Sequence, residues 1–186
     1  RAWGLQRVPD AAQADLAWLC EPSSPLGEPE PFAQGVAAKC ARVVLDLAYE
    51  PLRLSGRCSL GPEARDAVWQ LWSPNKALGL TGVRGAYAIA PAPAVADARA
   101  LDGLAPSWVL GAHGVAMLTA WVSPDAQAWL AHSRLQLSDW RVSLRERLAD
   151  CGWLGLPSDA NYFCAAPPRP LDAAALRAVG IKLRDT

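Results

Sequence analysis

Leu71-Trp72-Ser73-Pro74-Asn75-Lys76-Ala77-Leu78-Gly79-Leu80-Thr81-Gly82-Val83-Arg84 closes an apolar run with a glycine-rich turn, and it sets a lysine and an arginine eight residues apart. A buried lysine at such a turn can act as a nucleophilic amine, because desolvation lowers its pKa and frees the lone pair. An arginine nearby offers a planar fork suited to a phosphate. Taken singly, a surface lysine and a salt-bridged arginine in a loop account for both residues. The surroundings decide between the two readings.

On either side the chain reads as sheet. Ala67 to Trp72 form a strand that delivers Ser73 to Lys76 at its carboxyl end, and Gly85 to Ala90 form the next, closed by Pro91 and Pro93. Upstream, Arg42 to Tyr49 is a continuous apolar strand of the kind buried on both faces of a parallel sheet. Its one acidic residue, Asp46, falls near the carboxyl end, where ligands bind in open α/β sheets. A buried carboxylate needs a partner, here an arginine of the fold or a cationic ligand.

Further out, Asp15 to Cys20 read as a short strand. It is stopped by Glu21-Pro22-Ser23-Ser24-Pro25-Leu26-Gly27, a turn rich in backbone punctuators. A helix runs from near Phe32 to Cys40, and Arg53 to Arg65 read as an irregular connection. Helices follow near Ala96 to Leu104 and Trp108 to Val122. Ser123-Pro124-Asp125 starts a long one, with a cap, a proline at the first position and an acid in the first turn. That helix reaches about Asp150 with Trp129, Leu130, Leu137, Trp140, Leu144 and Leu148 on one apolar stripe. A short apolar piece (Asn161 to Ala165), a helix (Leu171 to Val179) and a strand begun at Ile181-Lys182-Leu183-Arg184 complete the chain. Strands alternating with helices predict an α/β fold with a mostly parallel sheet and helices on both faces.

Composition bounds the partners. The 186 residues carry 18 basic and 18 acidic side chains and are 52% hydrophobic, which describes a packed protein with no electrostatic pull toward nucleic acid or an acidic membrane. No apolar run reaches membrane-spanning length, and no signal-peptide pattern is visible at the start. The five cysteines fall in no C-x-x-C pair, and His113 and His132 have no second ligand at metal spacing, so no disulfide framework and no metal site is expected. Reduced, mostly buried thiols in a cytoplasmic protein are the simpler account. The nine tryptophans lie mostly in periodic apolar segments and read as core and interface residues.

Asp46 and Tyr49 at one strand end, Lys76 at the next and Arg84 on the following turn resemble the fold-type I pyridoxal-phosphate enzymes, specifically the class I/II aminotransferases. Asp46-Leu47-Ala48-Tyr49 matches the family's strand motif, an Asp three residues before a Tyr. Ser73, Lys76 and Arg84 match its lysine motif, a hydroxyl three before the Lys and an Arg eight after it. Gly-Leu-Thr-Gly-Val-Arg followed by Tyr87 looks most like histidinol-phosphate aminotransferases and threonine-phosphate decarboxylases. Neither G-x-G-x-x-G nor G-x-x-x-x-G-K-[ST] occurs, so Rossmann and P-loop readings do worse.

The resemblance implies roles. Lys76 is the catalytic residue, holding the cofactor aldehyde as a Schiff base and shuttling the substrate proton. Asp46 pairs with the pyridine nitrogen, Tyr49 donates to the ring oxygen, and Arg84 and Ser73 bind the phosphate. Ser24 stands where the family usually has an asparagine on the ring oxygen. A serine hydroxyl is shorter, so it either falls short of that oxygen or reaches it through a water. Asn75 replaces the small or hydroxyl residue common before the lysine, and Asn161 is carried over as a substrate-binding residue.

The chain resembles only part of a family protein. Residues 1–122 are expected to form part of the cofactor-binding large domain, 123–150 a connecting helix and 151–186 the start of a small α+β domain. An amino acid and a keto acid are the implied substrates, and a homodimer is the implied assembly. Two alternatives stay open: a decarboxylase of the threonine-phosphate kind, and a truncated, non-catalytic relative acting as an interaction domain.

Overall fold

A computed structural model of the chain describes residues 4–182. Four strands form the main sheet, β1 (Ala17–Cys20), β2 (Val43–Asp46), β3 (Trp69–Trp72) and β4 (Tyr87–Ile89), hydrogen-bonded in that order. β1, β2 and β3 are parallel, and their crossovers carry α1 (Ala33–Lys39) and α2 (Pro62–Asp66). β4 is antiparallel to β3. The connection between them is built of turns, and a chain that doubles back without a crossover pairs antiparallel. The fold is therefore mixed α/β with a mostly parallel sheet.

The two faces of this sheet differ. Leu19, Val43 and Leu45 point to one side, where they meet Ala33, Cys40, Leu47, Leu60 and Val68 in the main core. Leu45 and Leu47 are fully buried, each worth about 1.5–3 kcal/mol of apolar burial. On the other side Trp18, Val44, Trp69 and Leu71 floor an apolar groove walled by Ala100 and Leu101. Those two residues belong to α3 (Val95–Leu104), whose Asp97 is tied to Arg42 by a 2.8 Å ion pair. Trp18 remains 59% exposed in that groove. The expectation that the Asp46 strand is buried on both faces is corrected: Val43 and Leu45 are buried, Val44 and Asp46 only half-buried.

That strand is also shorter than Arg42 to Tyr49. The Asp46 carboxylate accepts from the Ala48 N–H at 3.0 Å, an Asx-type bond that turns the backbone out of the ladder. A 3-10 turn at Glu50–Leu52 follows. Within the connection expected to be irregular, Pro62 at the start of α2 and Glu63 in its first turn nucleate a short helix.

α4 (Ala112–Trp121) leads into α5 (Pro124–Asp150), whose start is as expected: the Ser123 hydroxyl accepts from the Ala126 N–H. The inward stripe of α5 is not the apolar one. Leu130 is buried and Leu137 half-buried, but Trp129, Trp140 and Leu144 are at least half exposed. Arg141 and Arg145 take the inward positions instead. Arg141 donates to the carbonyls of Ser158 and Ala160, and Arg145 to those of Gly155 and Leu156. These bonds hold the segment that carries β5 (Leu154–Gly155) and β6 (Ala165–Ala166), an antiparallel pair. α6 (Ala173–Ala178) is capped by Asp172. No strand forms at residues 181 and 182, and the rest of that expected strand lies outside the described residues.

Two further expectations change. Cys40 alone among the five cysteines is buried, Cys151 is exposed, and no disulfide joins them. None of the described tryptophans is buried, and Trp18, Trp108, Trp129 and Trp140 are exposed. Trp72 and Trp121, both half-buried, pack against the edges of the two cores. His113 and His132 are both exposed, and no group of three metal-ligating side chains occurs among the described residues. No helix there is long and apolar enough to cross a membrane.

Candidate active site

After β3 the chain makes a single helical turn and stops. The Leu80 N–H donates to the Asn75 carbonyl at 2.7 Å and the Gly79 N–H to the Lys76 carbonyl at 3.2 Å. This is the Schellman pattern, with Gly79 at φ 67° supplying the left-handed residue it needs. Ala77 is buried against Leu52 and Leu130, which pins the turn between the 3-10 turn and α5. Lys76 itself is half-buried, not buried as the sequence suggests, because the turn opens onto a cavity rather than the core. Its Nζ lies 4.8 Å from the centroid of the Tyr49 ring, a cation–π contact.

The cavity holds about 480 Å³, and Asp46, Ser73, Lys76 and Arg84 all line it. Its far wall is Val109 and Leu110, just before α4. β2 and β3 deliver Asp46 and Ser73 from adjacent carboxyl ends. Asp46 shares a rung with Cys20 on β1 and Leu71 on β3. It forms no salt bridge among the described residues, so the fold supplies no arginine partner for it.

Ser73 sits 2.9 Å from the Gly85 carbonyl and 2.8 Å from the Asn75 side-chain amide. A hydroxyl has one hydrogen. It serves one of these two acceptors at a time, the Gly85 carbonyl or the Asn75 Oδ1. Asn75, buried, is thus one of the two groups that orient the serine. Arg84 is exposed at the cavity edge, and its backbone is braced by α4. A Cβ at Gly114 would come within 2.7 Å of the Arg84 carbonyl oxygen, so only glycine allows this approach.

Tyr49, Ser24 and Asn161 do not line the cavity. Tyr49 stands beside it through its contact with Lys76. Ser24 is exposed on the Glu21–Gly27 turn, which contains cis peptide bonds before Pro22 and Pro25. Asn161 is half-buried, and its side-chain oxygen is buried without a hydrogen-bond partner.

Three neighbours escaped sequence reading. Tyr162 packs edge-on against Tyr49, centroids 4.9 Å apart and planes at 73°, and donates to the Ser23 carbonyl at 2.8 Å. Burial, with the Tyr49 ring beside it, pushes its phenol well above the usual range. Cys20 lies beside Asp46, and desolvation followed by that carboxylate raises its thiol pKa. Arg53 is buried below Tyr49 with three carboxylate partners. Flanked by Leu52 and Leu54, it carries no local sign of partners that lie 32 and 106 positions away.

The donor set is specific in its chemistry. An amine, a carboxylate, a guanidinium and a hydroxyl face one cavity, and they match an aldehyde, a protonated ring nitrogen and a phosphate on one small molecule. Similarity points the same way. A comparison with curated proteins gives no match. Among solved structures, histidinol-phosphate aminotransferase from Sinorhizobium meliloti in complex with pyridoxal-5'-phosphate is 27% identical, at TM-score 0.68, covering 89% of this chain and 45% of that one. N-succinyldiaminopimelate aminotransferase from Mycobacterium tuberculosis is 23% identical, at TM-score 0.69, with 91% and 47% covered. A decarboxylase from Sulfurospirillum multivorans is 22% identical, at TM-score 0.73, with 92% and 47% covered. The latter two show the shared fold. The chain spans about half the length of these structures. Pyridoxal 5'-phosphate is the cofactor this donor set fits. The family described as aminotransferase class I and II matches residues 8–186, so to that family the chain belongs.

Proposed function

We propose that the polypeptide carrying this chain is a pyridoxal-phosphate-dependent aminotransferase that moves an amino group between an amino acid and a keto acid, with Lys76 as its catalytic residue. The observation behind this reading is the convergence of Asp46, Ser73, Lys76 and Arg84 on one cavity at the carboxyl ends of β2 and β3. When bound, the cofactor supplies an electron sink for the carbanion left by a departing substrate proton.

The chain's own residues divide the remaining work. The Lys76 amine would hold the cofactor at its aldehyde carbon and, as a free amine, would take and return the proton at the substrate's α-carbon. Asp46 spends one oxygen on Ala48 and offers the other to the ring nitrogen, holding its proton in place. Arg84 clamps the phosphate. Ser73 joins it by turning its hydroxyl away from the Gly85 carbonyl or the Asn75 Oδ1, a rotation that costs one neutral hydrogen bond and gains a charge-assisted one. Tyr49 keeps its ring against Lys76 and directs its hydroxyl to the cofactor's ring oxygen. Ser24 and Asn161 stand outside the cavity lining, so on this reading Ser24 would meet the ring oxygen only through a water, and Asn161 would meet the substrate.

Residues 1–122 belong to the cofactor-binding domain on this reading, 123–150 to a connecting helix and 151–186 to a second domain. A cytoplasmic homodimer is the expected form. A phosphorylated substrate of the histidinol-phosphate kind is favoured by the Sinorhizobium meliloti similarity.

The test uses the full-length polypeptide. Cofactor is added, the product is reduced with borohydride, and the modified peptide is identified by mass spectrometry. A visible absorption band lost in Lys76→Ala, with the adduct on Lys76, is expected. A colourless wild type, or an adduct on another lysine, rejects the proposal. Turnover with a keto-acid acceptor, against turnover of threonine phosphate, separates transamination from decarboxylation.

A further inference from the structure

Arg53 lies outside the cavity, and three chain segments near it meet on its guanidinium. Nη2 bonds Glu21 at 3.0 Å, at the end of β1. Nε bonds Glu50 at 2.8 Å, the residue after Tyr49. Nη1 bonds Asp159 at 2.9 Å, three residues before Tyr162. The backbone tightens each connection. The Glu21 N–H donates to the Asp46 carbonyl, the Leu52 N–H to that of Tyr49, and the Asp159 N–H to that of Gly27. α5 adds a fourth tie, with Arg134 donating to the Arg53 carbonyl at 2.6 Å.

The arrangement is buried and directional. Arg53 is 4% exposed and Glu21 is 0% exposed. A guanidinium can satisfy three carboxylates at fixed angles, whereas an ammonium cannot span them. What the three segments share is the tyrosine pair: Tyr49 follows β2, and Tyr162 lies edge-on to it while bonding the Ser23 carbonyl on the β1 turn. The Tyr49 ring in turn sits against the Lys76 ammonium.

We infer that Arg53 is a positioning residue: by joining Glu21, Glu50 and Asp159 it fixes the Tyr49–Tyr162 pair, and through it the environment of the Lys76 amine. The inference deepens the role given to Lys76 and so rests on that reading. Its test runs without cofactor, so that a failure of cofactor chemistry is a separate result.

Lys76 in the full-length apo-protein is acylated with a limiting amine reagent, and its labelling rate is read by mass spectrometry against the unfolded chain. Arg53→Lys keeps the charge and loses the fork. Tyr162→Leu removes the edge contact directly. In both, the Tyr49 ring drifts from the ammonium and labelling rises about two- to fivefold, the worth of one cation–π contact near a surface. In a Tyr49→Leu background neither change has further effect, which a merely structural role for Arg53 would not produce. Wild-type labelling in both folded variants overturns the inference, as does an equal rise with or without Tyr49. Thermal melts identify which variants are folded, and Asp159→Asn replaces Arg53→Lys if the latter is not.

Discussion

Arg53→Leu should be among the most damaging single substitutions in the chain. The guanidinium is 5% exposed and bonds three carboxylates at 2.8–3.0 Å. Without it, Glu21 keeps only the Ser59 N–H at 2.7 Å and the Ser59 hydroxyl at 3.2 Å, and its other oxygen is already unpartnered. Removing one member of a buried ion pair costs about 3–5 kcal/mol. Glu50 and Asp159 are 18% and 21% exposed, so water replaces part of what they lose. Each of those pairs contributes about 0.5–1 kcal/mol. The loss therefore reaches about 4–7 kcal/mol, on the scale of a whole domain's stability. Glu21→Gln is the contrast. Its amide oxygen still accepts from Ser59, and Arg53 retains two carboxylates, so the cost falls to about 1–3 kcal/mol. Guanidinium unfolding of the full-length protein, followed by circular dichroism, measures both. If Arg53→Leu costs no more than Glu21→Gln, Arg53 does not hold the network together and the reasoning fails.

Other substitutions test the site itself. Asp46→Asn keeps an oxygen for the Ala48 N–H, so stability should change by less than about 0.5 kcal/mol while turnover drops about 100-fold or more. A matching loss of stability would mean that the charge is structural. Gly114→Ala drives a methyl group against the Arg84 carbonyl and should cost about 1–3 kcal/mol, with weaker retention of cofactor phosphate. An unchanged melt and unchanged phosphate affinity would show that α4 does not brace Arg84. Burial raises the Cys20 and Cys58 thiols, with Asp46 adding to the effect at Cys20. The folded state therefore holds these protons longer than the unfolded chain does. The stability linked to them is complete below the ordinary thiol value of about 9 and is lost as pH rises through the raised folded values. Unfolding midpoints of wild type should fall more steeply above that pH than those of Cys20→Ala/Cys58→Ala, and parallel curves would refute the linkage.

Much of the site was legible because it is local. Ser73, Lys76 and Arg84 belong to one turn, and Asp46 is set by strand parity, so spacing alone brings them near one cavity. The start of α5 was readable for the same reason, since Ser123-Pro124-Asp125 acts on its own backbone. What sequence could not show is long-range. Arg53 meets Glu21 across 32 positions and Asp159 across 106, and no local pattern encodes either bond. Tyr162 reaches Ser23 across 139. The periodicity of α5 misled for a different reason. Its tryptophans satisfy a helical repeat, but the inward face serves the carbonyls of residues 155–160 and so favours arginine. The antiparallel turn of β4 was hidden because an apolar strand carries no mark of its direction.

Asp46 lies on one rung with Cys20 and Leu71, and this has a consequence for how such a chain can vary. Side chains along a strand alternate, so inserting or deleting one residue between Val43 and Leu45 would reverse every orientation beyond it. The carboxylate would turn into the leucine core and Leu45 would face solvent. β2 thus acts as a ruler whose length is fixed by parity. The turns after it carry no such constraint. Divergence in substrate can therefore accumulate as insertions in the loops around the cavity, while the number of residues in β2 stays fixed.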